Sequence, residues 1–200
     1  MTTESISTPI TDPFDGFALW FADAVACEPN DPNAMTVATA TPEGVPAARI
    51  LLMKDYDRRG FVFYTNKHSR KGDELAANRH VALLFHWKSL LRQIRIEGVV
   101  EDVTDAEADI YYNSRPRVSR LGAWASSQSR PLPERAELER RVADAEQRFP
   151  DDIVPRPPYW SGYRLIPHYF EFWQDMPFRL HDRTIFTKSA DGWASGKLFP

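Results

Sequence analysis

Short apolar segments separated by turn residues run through the first half of this chain, and this alternation constrains its fold most strongly. The pattern predicts strands over 35–41, 47–54, 61–65, 81–87 and 91–103, with a polar turn over 55–60. Several of these segments are joined by only a few turn residues, such as Pro42-Glu43-Gly44, which favours antiparallel hairpins. Strands in hairpins with helices inserted between them predict a mainly β (α+β) fold, a closed antiparallel barrel with peripheral helices.

Helix signals lie between and beside these strands, and the predicted helices cover 13–27, 70–77, 105–114, 118–125 and 133–149. Asp12 and Ser69 are suited to cap the first two, and Thr104 with Glu107 forms a capping box for the third. The prolines of 150–158 indicate a linker.

The tail over 159–198 is expected to form short strands broken by Pro167, Pro177 and Asp191-Gly192. Residues 1–11 are polar and are expected to form a flexible N-terminal segment. The chain of 200 residues is therefore predicted to form a single domain over 12–200, large enough to bury a substantial core.

Charge and cysteine content narrow the class of protein. Residues 1–48 contain seven acidic residues and no Lys or Arg, so all 25 basic residues lie in 49–200, where the other 21 acidic residues leave a net charge of +4. These bases occur in short clusters, which favours separate anion pockets over a nucleic-acid-binding surface.

The single Cys27 excludes an intramolecular disulfide framework, and no apolar stretch is long enough to cross a bilayer. Without a recognisable targeting segment, a cytoplasmic location is the expectation.

The first candidate site is the run Arg179-Leu180-His181-Asp182-Arg183, close behind the aromatic segment 171–174. If the run is a strand, Arg179, His181 and Arg183 project from one side, because side chains in a strand alternate. Three potentially cationic groups on one face repel each other unless an anion or an electron-rich ring lies there, so the run predicts a site for a phosphorylated or aromatic ligand. The alternative is a solvated barrel edge, where basic residues commonly protect an unpaired strand.

The second candidate is the strand-to-helix junction over 64–71. Arg70 and Lys71 fall in the first turn of the predicted helix, where the helix dipole disfavours positive charge. A bound phosphate would remove that conflict, so phosphate binding is favoured over a solvated turn. Arg49 and Lys54 lie at the two ends of an apolar strand on opposite faces, an arrangement also typical of charges that only keep a strand soluble.

The third candidate is the segment 111–119, which crosses a helix–Pro–helix break. Tyr111, Arg115 and Ser119 offer phenol, guanidinium and hydroxyl donors, and arginine gives bidentate contacts to phosphate. The alternative is an ordinary helix end with solvent-facing arginines. The five histidines lack zinc-type spacing, and neither a dinucleotide-binding nor a P-loop glycine motif occurs, so no metal site is predicted.

From about residue 12 to its end, the chain resembles the pyridoxamine 5′-phosphate oxidase family of flavin enzymes. The motifs that carry the resemblance, in the family's order, are RILLMK (49–54), FYTNKHSRK (63–71), RQIRIEG (92–98), YYNSRPRVS (111–119), GAWASSQS (122–129), PPYWSGYR (157–164), EFWQ (171–174), RLHDR (179–183) and KLFP (197–200). The resemblance implies an FMN-binding split β-barrel with Greek-key antiparallel strands. It also implies a homodimer with two FMN molecules at the subunit interface.

The resemblance further implies roles for individual residues. The FMN site would comprise Arg49, Ile50, Leu51, Leu52, Met53, Lys54, Tyr64, Thr65, Arg70, Lys71, Gln93, Gln128, Ser129, Trp173 and Arg183, partly from the second subunit. Within this set, Arg49, Arg70 and Lys71 would hold the FMN phosphate. The substrate phosphate would be bound by Lys54, Tyr111, Arg115 and Ser119. Arg179, Leu180 and His181 would lie over the substrate ring on the side away from the flavin, with Arg179 and His181 as the catalytic pair.

The implied reaction belongs to vitamin B6 metabolism. It oxidises pyridoxamine or pyridoxine 5′-phosphate to pyridoxal 5′-phosphate, with O2 as acceptor and H2O2 as product. Residues 1–11 lack the basic, tyrosine-containing lid of many family members. Either the lid is absent or another segment covers the substrate.

Two alternatives accompany this interpretation. One is a related flavin oxidase that acts on a non-phosphorylated ring compound of the phenazine type, and the other is a non-catalytic flavin- or haem-binding split-barrel protein. The set of phosphate-binding residues favours a phosphorylated substrate over the first. Arg179 and His181 favour an oxidase over the second.

Overall fold

An antiparallel sheet of nine strands dominates the computed structural model, which describes residues 10–200. The strands are β1 (Ala34–Ala40), β2 (Pro46–Leu52), β3 (Asp55–Asp57), β4 (Gly60–Asn66), β5 (His80–Trp87), β6 (Arg92–Asp102), β7 (Trp160–Gln174), β8 (Asp182–Ser189) and β9 (Gly192–Lys197). Hydrogen bonds connect them in the order β2-β1-β5-β6-β7-β4-β3, and β8 and β9 extend the sheet beside β7. The predicted mainly β fold with peripheral helices is confirmed.

The long strand β7 organises the sheet. One of its edges pairs with β6, while the other pairs first with β4 and then with β8. The two halves of β7 therefore belong to different parts of one curled, split sheet. Within residues 10–200, β2 and β3 end the main path without pairing with each other, so the barrel that the strand pattern suggested is open rather than closed.

Five helices accompany the sheet in the described part of the chain: α1 (Pro13–Cys27), α2 (Arg70–Ala77), α3 (Asp105–Ser114), α4 (Arg117–Ala125) and α5 (Arg135–Arg148). Asp12 and Ser69 accept backbone N–H bonds at the starts of α1 and α2, and Thr104 and Glu107 close the predicted capping box of α3. None of these helices is long and apolar enough to cross a membrane. The flexible segment expected over 1–11 falls, for residues 1–9, outside the described residues.

Aromatic residues form the core between α1 and the sheet. The fully buried ring of Phe17 lies 4.8 Å from the ring of Phe61 and 5.2 Å from that of Phe85. Phe170 and Phe172 of β7 face the same core. Burying one such ring contributes roughly 1.5–3 kcal/mol, so this cluster fixes α1 against the sheet and leaves the opposite face of β7 for polar side chains.

The tail and one turn depart from the sequence prediction. Pro167 lies inside β7 instead of breaking it, because the ladder between β6 and β7 shifts register between Glu97 and Gly98, and a bulge tolerates the missing N–H of proline. The polar turn predicted over 55–60 contains the short strand β3, which pairs with the start of β4. Pro177 does end the extended run, as predicted, and begins a single 3₁₀ turn, Pro177–Arg179.

The run 179–183 is not one strand, so the predicted alternation of its basic side chains is wrong. Phe178 and Arg179 both adopt left-handed backbone, with φ of 60° and 62°, and the N–H of Leu180 donates to the carbonyl of Pro177. Because β8 begins only after this turn, Arg183 is in a strand while Arg179 is not. The cause is Pro177, whose fixed φ and missing N–H prevent β7 from continuing as a ladder.

Candidate active site

A cavity of about 610 Å³ opens where the end of β2, strand β4 and the junction of α3 and α4 meet. Nine of the predicted site residues line it: Leu51, Leu52, Lys54, Tyr64, Thr65, Tyr111, Arg115, Ser119 and Gln128. The break between α3 and α4 at Pro116 turns the chain, so that side chains from both helices reach the same space. Predicted residues from four separate motifs therefore share one cavity.

Arg115 is the strongest anion-binding feature of this cavity. Its guanidinium lies 4.7 Å from the centre of the Trp160 ring and 5.7 Å from that of Tyr112. Its Nη1 atom is buried and has no hydrogen-bond partner among the described residues. Burial lowers the pKa of Arg115 from its usual value, yet an arginine stays charged in proteins. A buried cationic donor without an acceptor is costly unless a ligand supplies the acceptor, so Arg115 marks an anion site.

A flat aromatic wall stands beside Arg115. The rings of Tyr64 and Tyr111 stack with centroids 4.2 Å apart, and the ring of Trp160 lies 5.5 Å from Tyr64 and nearly parallel to it. The Nζ atom of Lys54 lies 5.8 Å from the centre of the Tyr111 ring. Trp160 was not assigned a role from the sequence, although its motif, PPYWSGYR, was part of the resemblance. The cavity thus combines a planar apolar wall with two cations, which suits a planar ring that carries an anionic group.

Lys71 lies behind the cavity wall and is only 5% exposed. Its ammonium group donates to Gln128 Oε1 at 2.9 Å, Thr65 Oγ1 at 3.0 Å and Ser69 Oγ at 3.1 Å. Burial, and secondarily the charge of Arg49, lowers the pKa of Lys71 to about 8. Two of its three acceptors, on Thr65 and Gln128, belong to residues that line the cavity, so Lys71 connects the start of α2 to that space.

Glu74 holds the other two predicted phosphate ligands together. Its carboxylate accepts from Arg70 Nε at 2.8 Å, from Arg49 Nη2 at 3.2 Å and from the hydroxyl of Thr39. Burial alone would raise the pKa of Glu74, but these hydrogen bonds outweigh it and the pKa lies below its usual value. The predicted charge conflict at the start of α2 is thus partly relieved within the chain, by a residue that sequence reasoning overlooked. The spacing of Arg70 and Glu74, four residues apart on one helix, was the available signal.

A second group of predicted residues lies on the outer face of β6, β7 and β8. Gln93 is opposite Trp173 in the β6–β7 ladder, and Trp173 is opposite Arg183 in the β7–β8 ladder. The ring of His181 lies 4.5 Å from that of Trp173, and its Nδ1 atom is 2.9 Å from Asp175 Oδ1. The turn before β8 therefore brings His181 beside Trp173, although the strand geometry predicted for the run 179–183 is absent.

The remaining predicted residues have more varied surroundings. Arg179 and Leu180 are exposed on the left-handed turn beside His181. Ile50 is 64% exposed on β2, whereas Met53, directly after β2, is buried in the core and does not line the cavity. Ser129 has a left-handed backbone, with φ of 67°, directly after Gln128. A role at a ligand site for these five residues stays a prediction.

The cavity and the outer-face group lie at opposite ends of β7. Trp160 lines the cavity, and Trp173 belongs to the outer-face group 13 positions further along the same strand. At about 3.3 Å per residue, the two are separated by up to about 40 Å along the strand. Within one chain, therefore, the two groups of predicted residues are well separated along β7.

Two family models match successive parts of this chain. Residues 21–149 match the family model described as pyridoxamine 5′-phosphate oxidase, and residues 160–200 match the model described as the pyridoxine 5′-phosphate oxidase C-terminal dimerisation region. A protein of Gluconobacter oxydans (strain 621H) named pyridoxine/pyridoxamine 5′-phosphate oxidase is 60% identical over 94% of this chain and 94% of its own. One of the same name from Granulibacter bethesdensis is 59% identical, over 94% and 91%.

Two solved structures share the fold. PhzG from Burkholderia lata 383, in complex with tetrahydrophenazine-1-carboxylic acid, has a TM-score of 0.91 and 30% identity, covering 100% of this chain and 98% of PhzG. A pyridoxamine 5′-phosphate oxidase-related, FMN-binding protein from Nostoc punctiforme PCC 73102 has a TM-score of 0.75 and 16% identity, covering 96% of this chain and 100% of its own. The second supports the fold alone, and together they confirm the predicted split-barrel architecture.

Proposed function

The chain belongs to the pyridoxamine 5′-phosphate oxidase family, and we propose that it is an FMN-dependent oxidase that converts pyridoxamine or pyridoxine 5′-phosphate to pyridoxal 5′-phosphate. The observation that carries the proposal is the buried Nη1 of Arg115, which has no hydrogen-bond partner within residues 10–200. It lies beside a flat aromatic wall, in a cavity that also adjoins Lys71. Two cationic sites at one cavity fit two phosphorylated molecules, a cofactor and a substrate.

The residues at the start of α2 fit the phosphate of FMN. Lys71 is a buried ammonium whose hydrogen bonds go to neutral oxygens, and Arg49 and Arg70 share the single carboxylate of Glu74. The cluster therefore carries an excess of positive charge next to the free N–H groups of a helix start, which is the environment that a phosphate requires. When bound, FMN supplies two-electron acceptor chemistry at C4′ of the substrate, with O2 as the final oxidant and H2O2 as its product.

The chain's own residues bind and orient the substrate. Arg115, Lys54, Tyr111 and Ser119 are placed to hold its phosphate, and the aromatic wall flanks its ring. Fixing both the phosphate and the plane of the ring restricts the substrate to one orientation in which C4′ faces the flavin. Arg179 and His181 would complete the pocket on the opposite side of the ring.

We also infer that the complete site forms between two copies of the chain. The outer-face group, with Gln93, Trp173 and Arg183, is too far from the cavity of its own chain to act there. This group lies within or beside the region that matches the dimerisation model. A homodimer with two equivalent sites, each built from the cavity of one copy and the outer face of the other, uses every predicted residue group.

Turnover of pyridoxine 5′-phosphate by FMN-reconstituted protein in air tests the proposal. Pyridoxal 5′-phosphate and H2O2 should appear together in equal amounts, while pyridoxine without its phosphate should be oxidised poorly. Bound FMN without either product would instead indicate a non-catalytic binding protein. Oxidation of pyridoxine as fast as of its phosphate would favour an oxidase of non-phosphorylated rings.

A matched pair of variants sharpens this experiment. Arg115→Gln should raise KM for pyridoxine 5′-phosphate by roughly 10- to 100-fold, the size of effect for a lost charge-assisted hydrogen bond, with FMN still bound. Arg117→Gln is the control, because that side chain donates to the backbone carbonyls of Phe149 and Asp151 and does not line the cavity. Equal KM values for the two variants would contradict the assignment of Arg115.

A further inference from the structure

Arg183 is held in place by a buried carboxylate on the neighbouring strand. Its Nε and Nη2 atoms each lie 2.7 Å from Glu171 Oε1, and its Nη1 donates to the carbonyl of Phe199 at 2.8 Å. A guanidinium carries five N–H groups, so these contacts leave at least one N–H on each Nη atom free. Two such N–H groups form a fork that can bind a pair of ligand acceptors.

Glu171 is itself held from the other side. Its Oε2 atom accepts from Arg95 Nη2 at 2.5 Å and from the hydroxyl of Tyr169 at 3.3 Å, and the residue is only 6% exposed. Burial would raise the pKa of Glu171, but the hydrogen bonds from Arg183 and Arg95 outweigh it and keep the carboxyl ionised at neutral pH. Both oxygens are therefore engaged, and the direction of the Arg183 side chain is set by strands β6, β7 and β8 together.

We propose that Glu171 is a positioning residue for flavin binding, which orients the guanidinium of Arg183 without touching the ligand itself. The inference rests on the proposed function, which assigns Arg183 to the flavin site together with Gln93 and Trp173. An arginine side chain loses rotamer entropy when it is immobilised. Because Glu171 and Phe199 already restrict Arg183, less of that entropy is lost when the flavin binds.

The first measurement is the Kd of the FMN-free protein for FMN, determined from the quenching of flavin fluorescence. Glu171→Gln keeps the size of the side chain but cannot accept from both arginines, so FMN should bind at least tenfold more weakly. Glu97→Gln is the matched control: Glu97 also pairs with Arg95, at 2.8 Å, on the same face, but has no contact with Arg183. The control should bind FMN within twofold of the wild type.

A double-mutant cycle separates positioning from a general effect on folding. If Glu171 acts through Arg183, Glu171→Gln should have no further effect on the Kd in an Arg183→Gln background. The same tenfold loss in that background would overturn the proposal. If Glu171→Gln does not fold, Tyr169→Phe, which removes one bond to Oε2, should weaken FMN binding by a smaller factor with an unchanged melting temperature.

The possible failures are distinguishable. Wild-type protein that does not bind FMN would overturn the proposed function and the inference together. Wild-type protein that binds FMN, with a Glu171→Gln variant of equal affinity, would overturn the inference alone.

Discussion

Replacing Lys71 with methionine tests whether this buried charge destabilises the FMN-free protein while it strengthens FMN binding. The buried ammonium donates to neutral acceptors, and burial lowers its pKa from 10.5 to about 8. One pKa unit corresponds to about 1.4 kcal/mol, so the buried charge destabilises the folded protein by about 3 kcal/mol at pH 7. Methionine occupies a similar volume without charge. Allowing for the lost hydrogen bonds, Lys71→Met should stabilise the FMN-free protein by about 1–2 kcal/mol.

The pH dependence of this stabilisation by Lys71→Met follows from the lowered pKa of Lys71 in the folded protein. Because the pKa of Lys71 is lower in the folded than in the unfolded state, the destabilisation is complete below pH 8 and disappears as the pH rises towards 10.5. The wild-type protein should therefore gain about 1.4 kcal/mol from this residue between pH 7 and pH 9. The Lys71→Met variant lacks the titrating group, so its advantage over the wild type should shrink by the same amount.

Urea denaturation of both FMN-free proteins at pH 7 and pH 9 measures this difference directly. Lys88→Met, at an exposed turn, is the control and should show no such change. FMN affinity should move in the opposite direction, falling about 10- to 100-fold in Lys71→Met, because the variant lacks the positive charge proposed to lie beside the phosphate. A stability difference that is the same at both pH values, or a variant that binds FMN as tightly as the wild type, would refute the reasoning.

Three further predictions follow from the same geometry. Phe17→Ala should destabilise the protein by about 3–5 kcal/mol in urea denaturation, because it empties the centre of the aromatic core, and a loss under 1 kcal/mol would contradict that packing. Arg179→Ala should lower kcat for pyridoxine 5′-phosphate while FMN stays bound, and unchanged turnover would exclude a catalytic role. If each site is shared between two copies, as proposed, dilution that separates the dimer in analytical ultracentrifugation should release FMN over the same concentration range, and FMN retained by a monomer would refute the shared site.

Local sequence determined most of the secondary structure of this protein. Asp12, Ser69 and Thr104 start helices as predicted, because their side chains satisfy N–H groups that lie only two or three residues away. The pattern of apolar and turn residues likewise located β1, β2, β4, β5 and β6 within one or two residues. Such signals act over one turn or one hairpin, so they can be read without the fold.

The motifs also predicted the candidate site residues, but several of their relationships depend on the tertiary structure. Lys71 was predicted from the sequence to bind a phosphate, yet its lowered pKa depends on burial beneath Gln128, 57 residues away in the chain. Glu74 also binds Arg49 of β2, and Glu171 binds Arg95 of β6 and Arg183 of β8; no spacing in the sequence predicts these pairs between separate elements.

Among the features that depend on the tertiary structure, the length and pairing of β7 have the largest effect on the arrangement of the candidate site. Pro167 suggested that the tail is broken into short strands, but a bulge lets β7 run from Trp160 to Gln174 and carries the cavity and the outer-face group to its opposite ends. Sequence alone therefore predicted the candidate site residues and the elements that hold them. Only the tertiary structure decided where those residues lie relative to one another, because their separation is set by strand pairing across the whole sheet.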